Sequence, residues 1–133
     1  MQLNLLVTSD VHGYLAPTNY VKPDLHAPLG LERAATCLKH LQRAHRYTLT
    51  FDDGDYLEGS PLAHYLAKVR QADAPHLIDR VYNLLHYDYG IVGNHEFNYG
   101  QRYLHNSIRE SHRQFLCANV VDDQGHHPFG KPY

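Results

Sequence analysis

Cysteine is scarce, runs of one charge are missing and no apolar stretch approaches membrane length; each absence removes a class of protein. Two cysteines are too few and too far apart to make a metal pair. Cys37 falls in an apolar helical stripe and Cys117 in a strand-like run, so both read as buried free thiols. No segment reaches the ~20 consecutive apolar residues of a membrane span, so no membrane partner is expected. The 12 basic and 14 acidic residues give a formal charge of −2. Neither sign forms a run, which argues against a nucleic-acid or anionic-lipid surface. A nucleotide would have to be held by a site, not by a charge field. No export leader is visible, because Met1 is followed almost at once by the strand-like Leu3-Asn4-Leu5-Leu6-Val7. As the sequence stands the expectation is a cytoplasmic protein, or an exported one if a leader has been removed. Repeats and low-complexity segments are also missing.

What is there is an alternation of strand and helix over 133 residues, 43% of them hydrophobic. Residues 3–9 form a short apolar run fit for a buried strand. A long irregular stretch with Pro17, Pro23 and Pro28 follows; loops of that length usually carry function or disorder. Leu31, Ala35, Leu38 and Leu41 recur at helical spacing and predict a helix to about His45. Residues 47–51, Tyr-Thr-Leu-Thr-Phe, predict a second strand. Ser60 and Pro61 mark a helix start, as N-cap and first-turn proline, with Leu62, Leu66 and Val69 facing inward. Pro75 opens a further helix whose inward residues are Leu77, Val81 and Leu84 or Leu85. Residues 87–92 predict a third strand, 99–112 a helix using Tyr103, Leu104 and Ile108, and 114–121 a fourth strand. This order implies an α/β fold, a mainly parallel sheet with flanking helices. In such sheets functional groups collect beyond the carboxyl ends of the strands.

The chain has twelve histidines. His40, His45, His64, His76 and His112 fall on predicted helical surfaces, and His126 and His127 in a solvated tail. Only His12 and His95 have neighbours that make a chemical case. The first strand ends in Asp10-Val11-His12, the second in Asp52-Asp53-Gly54-Asp55 and the third in Gly93-Asn94-His95-Glu96. In extended chain Asp10 and His12 would point to one side, as a carboxylate–imidazole pair suited to a divalent first-row metal. Asp55 follows a glycine that allows a sharp turn, and its two oxygens can bridge two cations. Asp52 and Asp53 read as structural or supporting, since three ligating carboxylates from one turn would crowd. Asn94 offers a neutral amide oxygen, which preserves the Lewis acidity of the cations. His95 is better suited to hydrogen-bonding or protonating a leaving oxygen than to ligation. Glu96 could simply cap the structure that follows. Each cluster alone has an ordinary explanation as a turn or helix entry. At three consecutive strand ends the ordinary explanation becomes improbable.

These blocks resemble the first three signature motifs of the calcineurin-like metallophosphoesterases. The text around them, Phe51-Asp52-Asp53-Gly54-Asp55-Tyr56-Leu57-Glu58-Gly59-Ser60-Pro61-Leu62 and Val92-Gly93-Asn94-His95-Glu96-Phe97-Asn98-Tyr99-Gly100, is similar to the 5′-nucleotidase and 2′,3′-cyclic-nucleotide 2′-phosphodiesterase branch. So is Cys117-Ala118-Asn119-Val120. The resemblance implies a four-layer α/β/β/α sandwich, of which residues 1–133 would be the N-terminal portion of the catalytic domain. It implies two divalent metal ions of the Mn, Zn, Fe or Co type. Asp10 and His12 would lie on the first, Asp55 between the two and Asn94 on the second, with His95 catalytic at the transition state. The implied partner is a nucleotide or another phosphoester small molecule.

Two departures qualify this. Where 5′-nucleotidases usually carry an aspartate paired with the histidine, this chain has Asn98, closer to the cyclic-phosphodiesterase/3′-nucleotidase side. That change removes a charge that would raise the histidine's basicity. The later histidine blocks and the C-terminal nucleotide-binding domain are also absent from these residues; Gly125-His126-His127 does not supply them. The expectation is therefore hydrolysis of nucleotide phosphoesters by the parent protein. The 133-residue chain alone is expected to bind metal weakly, turn over negligibly and self-associate through uncovered apolar surface. Alternatives are a 5′-nucleotidase, a nucleotide-sugar hydrolase or a broad phosphomonoesterase, and, in another class, an incompetent fragment or binding module.

Overall fold

A computed structural model describes residues 2–22, 26–70 and 76–133. Four strands form one wholly parallel sheet in the order β1-β2-β3-β4: β1 (Asn4–Thr8), β2 (Thr48–Asp52), β3 (Tyr89–Ile91) and β4 (Gln114–Leu116). Between them run α1 (Leu31–Ala44), α2 (Pro61–Lys68), α3 (Leu77–Leu84) and α4 (Gln101–Glu110). Pro75 lies outside the described residues. Strands in sequential order joined by right-handed crossovers place their helices on one face of the sheet. The register agrees. The row Thr8–Asp52–Gly90–Phe115 faces the helices, and Asp52, Gly90 and Phe115 are buried.

The neighbouring row, Val7–Phe51–Tyr89, points the other way. Val7 is 59% exposed and Leu5 58%, while the Phe51 and Tyr89 rings stack with centroids 5.0 Å apart. One face of the sheet is therefore a packed core and the other an open apolar surface. No helix among the described residues is long and apolar enough to cross a membrane.

Ser60 caps α2 as its sequence signature predicts, its hydroxyl accepting from the Ala63 amide at 3.0 Å, with Pro61 in the first turn. Several inward assignments need correction. Val69 ends α2 in solvent, and the small Ala63 is the buried contact. In α3 the buried stripe is Ile78, Asp79, Tyr82 and Leu85; Leu77 and Leu84 are exposed. Of the expected inward residues, Leu85 is buried and Val81 packs against the core, while counting apolar residues alone misses Asp79 because it is a carboxylate. Cys37 is exposed on α1 and only Cys117 is buried, both as free thiols. His76 is buried against the Tyr103 ring at 4.3 Å, and that burial lowers its pKa. β3 and β4 are each three residues long, shorter than the apolar runs that predict them, because the chain bends away into the loops that carry the polar clusters.

Candidate metal centre

The loop after β1 and the loop after β2 are stitched together beyond the last ladder bonds. Asp53 donates its amide to the Thr8 carbonyl, Asp10 to Gly54 and His12 to Asp55, at 2.8, 3.1 and 2.9 Å. This stitching bends both chains. Asp10, His12 and Asp55 all have left-handed backbone, with φ of 55°, 51° and 57°. Such a conformation is uncommon outside glycine, and aspartate and histidine are among the residues that tolerate it best. So Asp10 and His12 do not converge by lying in extended chain, as the sequence suggests. They converge because both are turned out of it, and the His12 Nε2 stands 3.7 Å from an Asp10 carboxylate oxygen.

Glycine brings the third loop in. A Cβ on Gly54 would lie 2.7 Å from the Gly93 nitrogen, and one on Gly93 would lie 2.3 Å from the Asp55 carboxylate. With both positions bare, the loop after β3 closes onto Asp55, whose Oδ1 accepts from the His95 amide at 2.9 Å. The His12 and His95 rings meet edge to face with centroids 5.0 Å apart. One candidate ligand atom from each of His12, Asp55 and His95 lies within 4.8 Å of the others.

The clamp that holds this arrangement is Glu96, which sequence reading takes for a simple cap. Its carboxylate is 1% exposed and accepts four backbone N–H groups. Oε2 takes Asp55 and Gly93, and Oε1 takes Tyr56 and Leu57, at 2.7–3.1 Å. A buried carboxylate without a cation partner is tolerated when amides saturate it, and charge-assisted bonds of this kind are the strong ones. Glu96 therefore ties the β2 loop to the β3 loop.

Asn94 sits exposed at the start of the 3-10 turn His95–Phe97, and Asp10 is also exposed. Asp52 belongs elsewhere, as its structural reading suggests: it is buried and bonded to Arg113 Nη1 at 2.9 Å and Tyr82 at 3.0 Å. The other Arg113 nitrogen takes Asp79 at 2.9 Å, and the guanidinium lies 4.2 Å from both the Tyr56 and Tyr82 rings. Arg113 and Asp79 carry no local pattern that sequence reading could detect. A cavity of about 540 Å³ lies at the opposite end of the strands beside Thr48 and Asp88, away from this cluster.

A parallel α/β sheet whose strand ends gather imidazole and carboxylate groups has the donor types of a metal site, and the comparisons give it a family. Residues 3–129 match the family described as Calcineurin-like phosphoesterase, and the chain belongs to it. It is similar to the 2′,3′-cyclic-nucleotide 2′-phosphodiesterase/3′-nucleotidase of Salmonella typhimurium, 32% identical over all of this chain and 21% of that protein. The trifunctional nucleotide phosphoesterase protein YfkN of Bacillus subtilis is 33% identical over all of this chain and 9% of its own length. The crystal structure of calcineurin-like phosphoesterase YfkN superimposes with a TM-score of 0.89 at 33% identity, covering 96% of this chain and 40% of that one. The chain thus spans about a fifth or less of these curated relatives. The family uses divalent metals, and the His12–Asp55–His95 grouping is a chemically suitable place for one.

Proposed function

We propose that the protein hydrolyses nucleotide phosphoesters at a two-metal centre, as a 2′,3′-cyclic-nucleotide 2′-phosphodiesterase and nucleotidase. The carrying observation is that three consecutive strand ends bring His12, Asp55 and His95 within 4.8 Å of one another. The donor set fits divalent Mn, Zn, Fe or Co, whose sites mix imidazole nitrogen with carboxylate and amide oxygen. His12 commits its Nδ1 to the Glu58 carbonyl at 2.6 Å, which leaves the Nε2 lone pair for a ligand. Asp10 and His12 would hold one cation, Asp55 would be shared, and Asn94 would serve the second. Bound divalent cations supply Lewis acidity toward phosphate oxygens and water. His95 would hold a proton at the departing ribose oxygen.

The names of the relatives support nucleotide substrates, and Asn98 in place of aspartate supports the cyclic-phosphodiesterase side. A 5′-nucleotidase is the second reading, favoured by the 36% identity and 0.80 TM-score to a putative 5′-nucleotidase of Staphylococcus aureus. The test is to replace Asp55 or His95 with alanine in the full-length protein. Hydrolysis of 2′,3′-cyclic, 3′- and 5′-nucleotides is then followed with added Mn²⁺. A loss of about 100-fold or more is expected for each; unchanged activity in both would overturn the proposal. The 133-residue chain alone is expected to show negligible turnover. The open Val7–Phe51–Tyr89 row supports self-association of that chain, which a light-scattering mass above that of a monomer would reveal.

A further inference from the structure

Glu58 lies between the two histidines of the site and contacts both through different atoms. Its backbone carbonyl is 2.6 Å from His12 Nδ1, and its carboxylate Oε2 is 2.9 Å from His95 Nδ1. A carbonyl and a carboxylate can only accept, so each of these two contacts is a hydrogen bond when the imidazole donates from Nδ1, and at His95 the shorter contact is the one to the carboxylate. We propose that Glu58 is the positioning residue of the centre, fixing both imidazoles with the proton on Nδ1 and so presenting Nε2 of each to ligand or substrate. The proposal deepens the phosphoesterase reading of this site and rests on it for its chemical purpose.

Three features of the loop support this. Gly59 has a φ of 134°, and a Cβ there would lie 2.7 Å from the His12 Cβ and 2.9 Å from its Nδ1. Only glycine lets the chain after Glu58 lie flat against the first imidazole. The amides of Tyr56 and Leu57, just before Glu58, are pinned by the Glu96 carboxylate at 2.8 and 3.1 Å. The carbonyl and carboxylate of Glu58 are therefore presented from a rigid segment. Finally, Asn98 Nδ2 lies 3.0 Å from the His95 Nδ1 and 3.3 Å from Glu58 Oε2; an amide nitrogen only donates, so with the ring proton on Nδ1 its hydrogen bond goes to the carboxylate.

That last contact reverses one expectation. Asparagine at position 98 withdraws a carboxylate from the histidine only if no other arrives. Glu58, forty residues away in the previous strand's loop, supplies one, and Asn98 becomes the neutral group that steadies it. Groups that orient a site histidine in this way set which nitrogen reacts, and losing them is costly even when they never touch substrate.

The test reads tautomers directly, by long-range ¹H–¹⁵N correlation of the imidazoles in the metal-free chain. Wild-type His12 and His95 should both carry the proton on Nδ1. Glu58→Ala should free His95 to a mixed or Nε2-protonated state while His12, held by the backbone carbonyl, stays as it was. Glu58→Gln, nearly isosteric, guards against a folding failure of the alanine variant. It should move the His95 ring proton resonance and leave that of His12 in place. Asn98→Ala should leave His95 protonated on Nδ1. An Nε2-protonated His95 in wild type, or a His95 signal unmoved by both Glu58 variants, would overturn the proposal. The readout needs neither bound metal nor turnover, so its failure is distinct from a failure of the phosphoesterase reading.

Discussion

Asp52 and Asp55 leave the same turn three residues apart, yet one enters a closed polar cluster and the other an open one. Asp52 is fully buried, and its charge is answered by Arg113, which is shared with Asp79 and stacked between Tyr56 and Tyr82. Asp55 is half-buried beside His12 and His95, and its carboxylate accepts from the His95 amide. The first cluster contains its own counter-ion and knits β2, α3 and the start of β4 together. The second gathers imidazole and carboxylate groups that could hold a metal ion, the donor types a divalent site uses. The two are separated by Gly54, whose left-handed backbone turns the chain from the helix side toward the strand ends. Polarity alone does not distinguish function from structure; whether a carboxylate is saturated by buried partners, as Asp52 is by Arg113 and Tyr82 and Glu96 by four amides, is the better guide.

The largest effect should come from breaking the closed cluster. Arg113→Ala leaves two carboxylates buried without their cation and should destabilise the fold by about 3–5 kcal/mol, read by urea or thermal unfolding. Next is the clamp that joins the clusters. Glu96→Gln turns one acceptor oxygen into a donor facing two amides, and should cost about 2–3 kcal/mol. It should also weaken metal binding, because the Asp55 loop loses its anchor.

A smaller effect lies in the pH dependence. Burial outweighs Arg113 and raises Asp52 to about 7 and Asp79 to about 6, against an ordinary 3.8. Between those values the folded chain binds more protons than the unfolded one, so stability falls as pH rises from about 4 to about 7. Buried His76, its pKa lowered by desolvation, opposes this trend as pH drops below about 6.5. Asp79→Asn should flatten the decline in Tm between about pH 4 and about pH 6. A slope identical to wild type would exclude the cluster as its source. The smallest effect on stability belongs to Asp55→Asn, which keeps a carbonyl for the His95 amide and should change stability by no more than about 0.5 kcal/mol.

Much of this was legible in the sequence, for physical reasons that differ by element. The order of strands and helices follows from apolar periodicity, and Ser60-Pro61 marks α2 by chemistry local to two residues. His12, Asp55 and His95 could be picked out because each lies just past a strand, where a parallel sheet gathers its functional groups. The strand bounds of β3 and β4 were not readable, because apolar character continues into loops that the ladder does not follow. Asp79, Arg113, Glu58 and Glu96 were assigned no such role because their partners lie elsewhere in the chain. Arg113 meets Asp52 across 61 residues and Glu96 meets Tyr56 across 40, and neither pairing leaves a local trace. The left-handed backbone of Asp10 and His12 was likewise hidden, since it arises from bonds to the neighbouring loop.

The central claim is that the open cluster binds a divalent metal and the closed one does not. Titrating the chain with Mn²⁺, while following free metal by electron paramagnetic resonance, tests it most directly. The wild type should show weak but saturable binding. Asp79→Asn should bind as the wild type does, and Asp55→Asn should bind about 100-fold more weakly or not at all. Equal binding by wild type and Asp55→Asn, or no binding by either, would contradict the account.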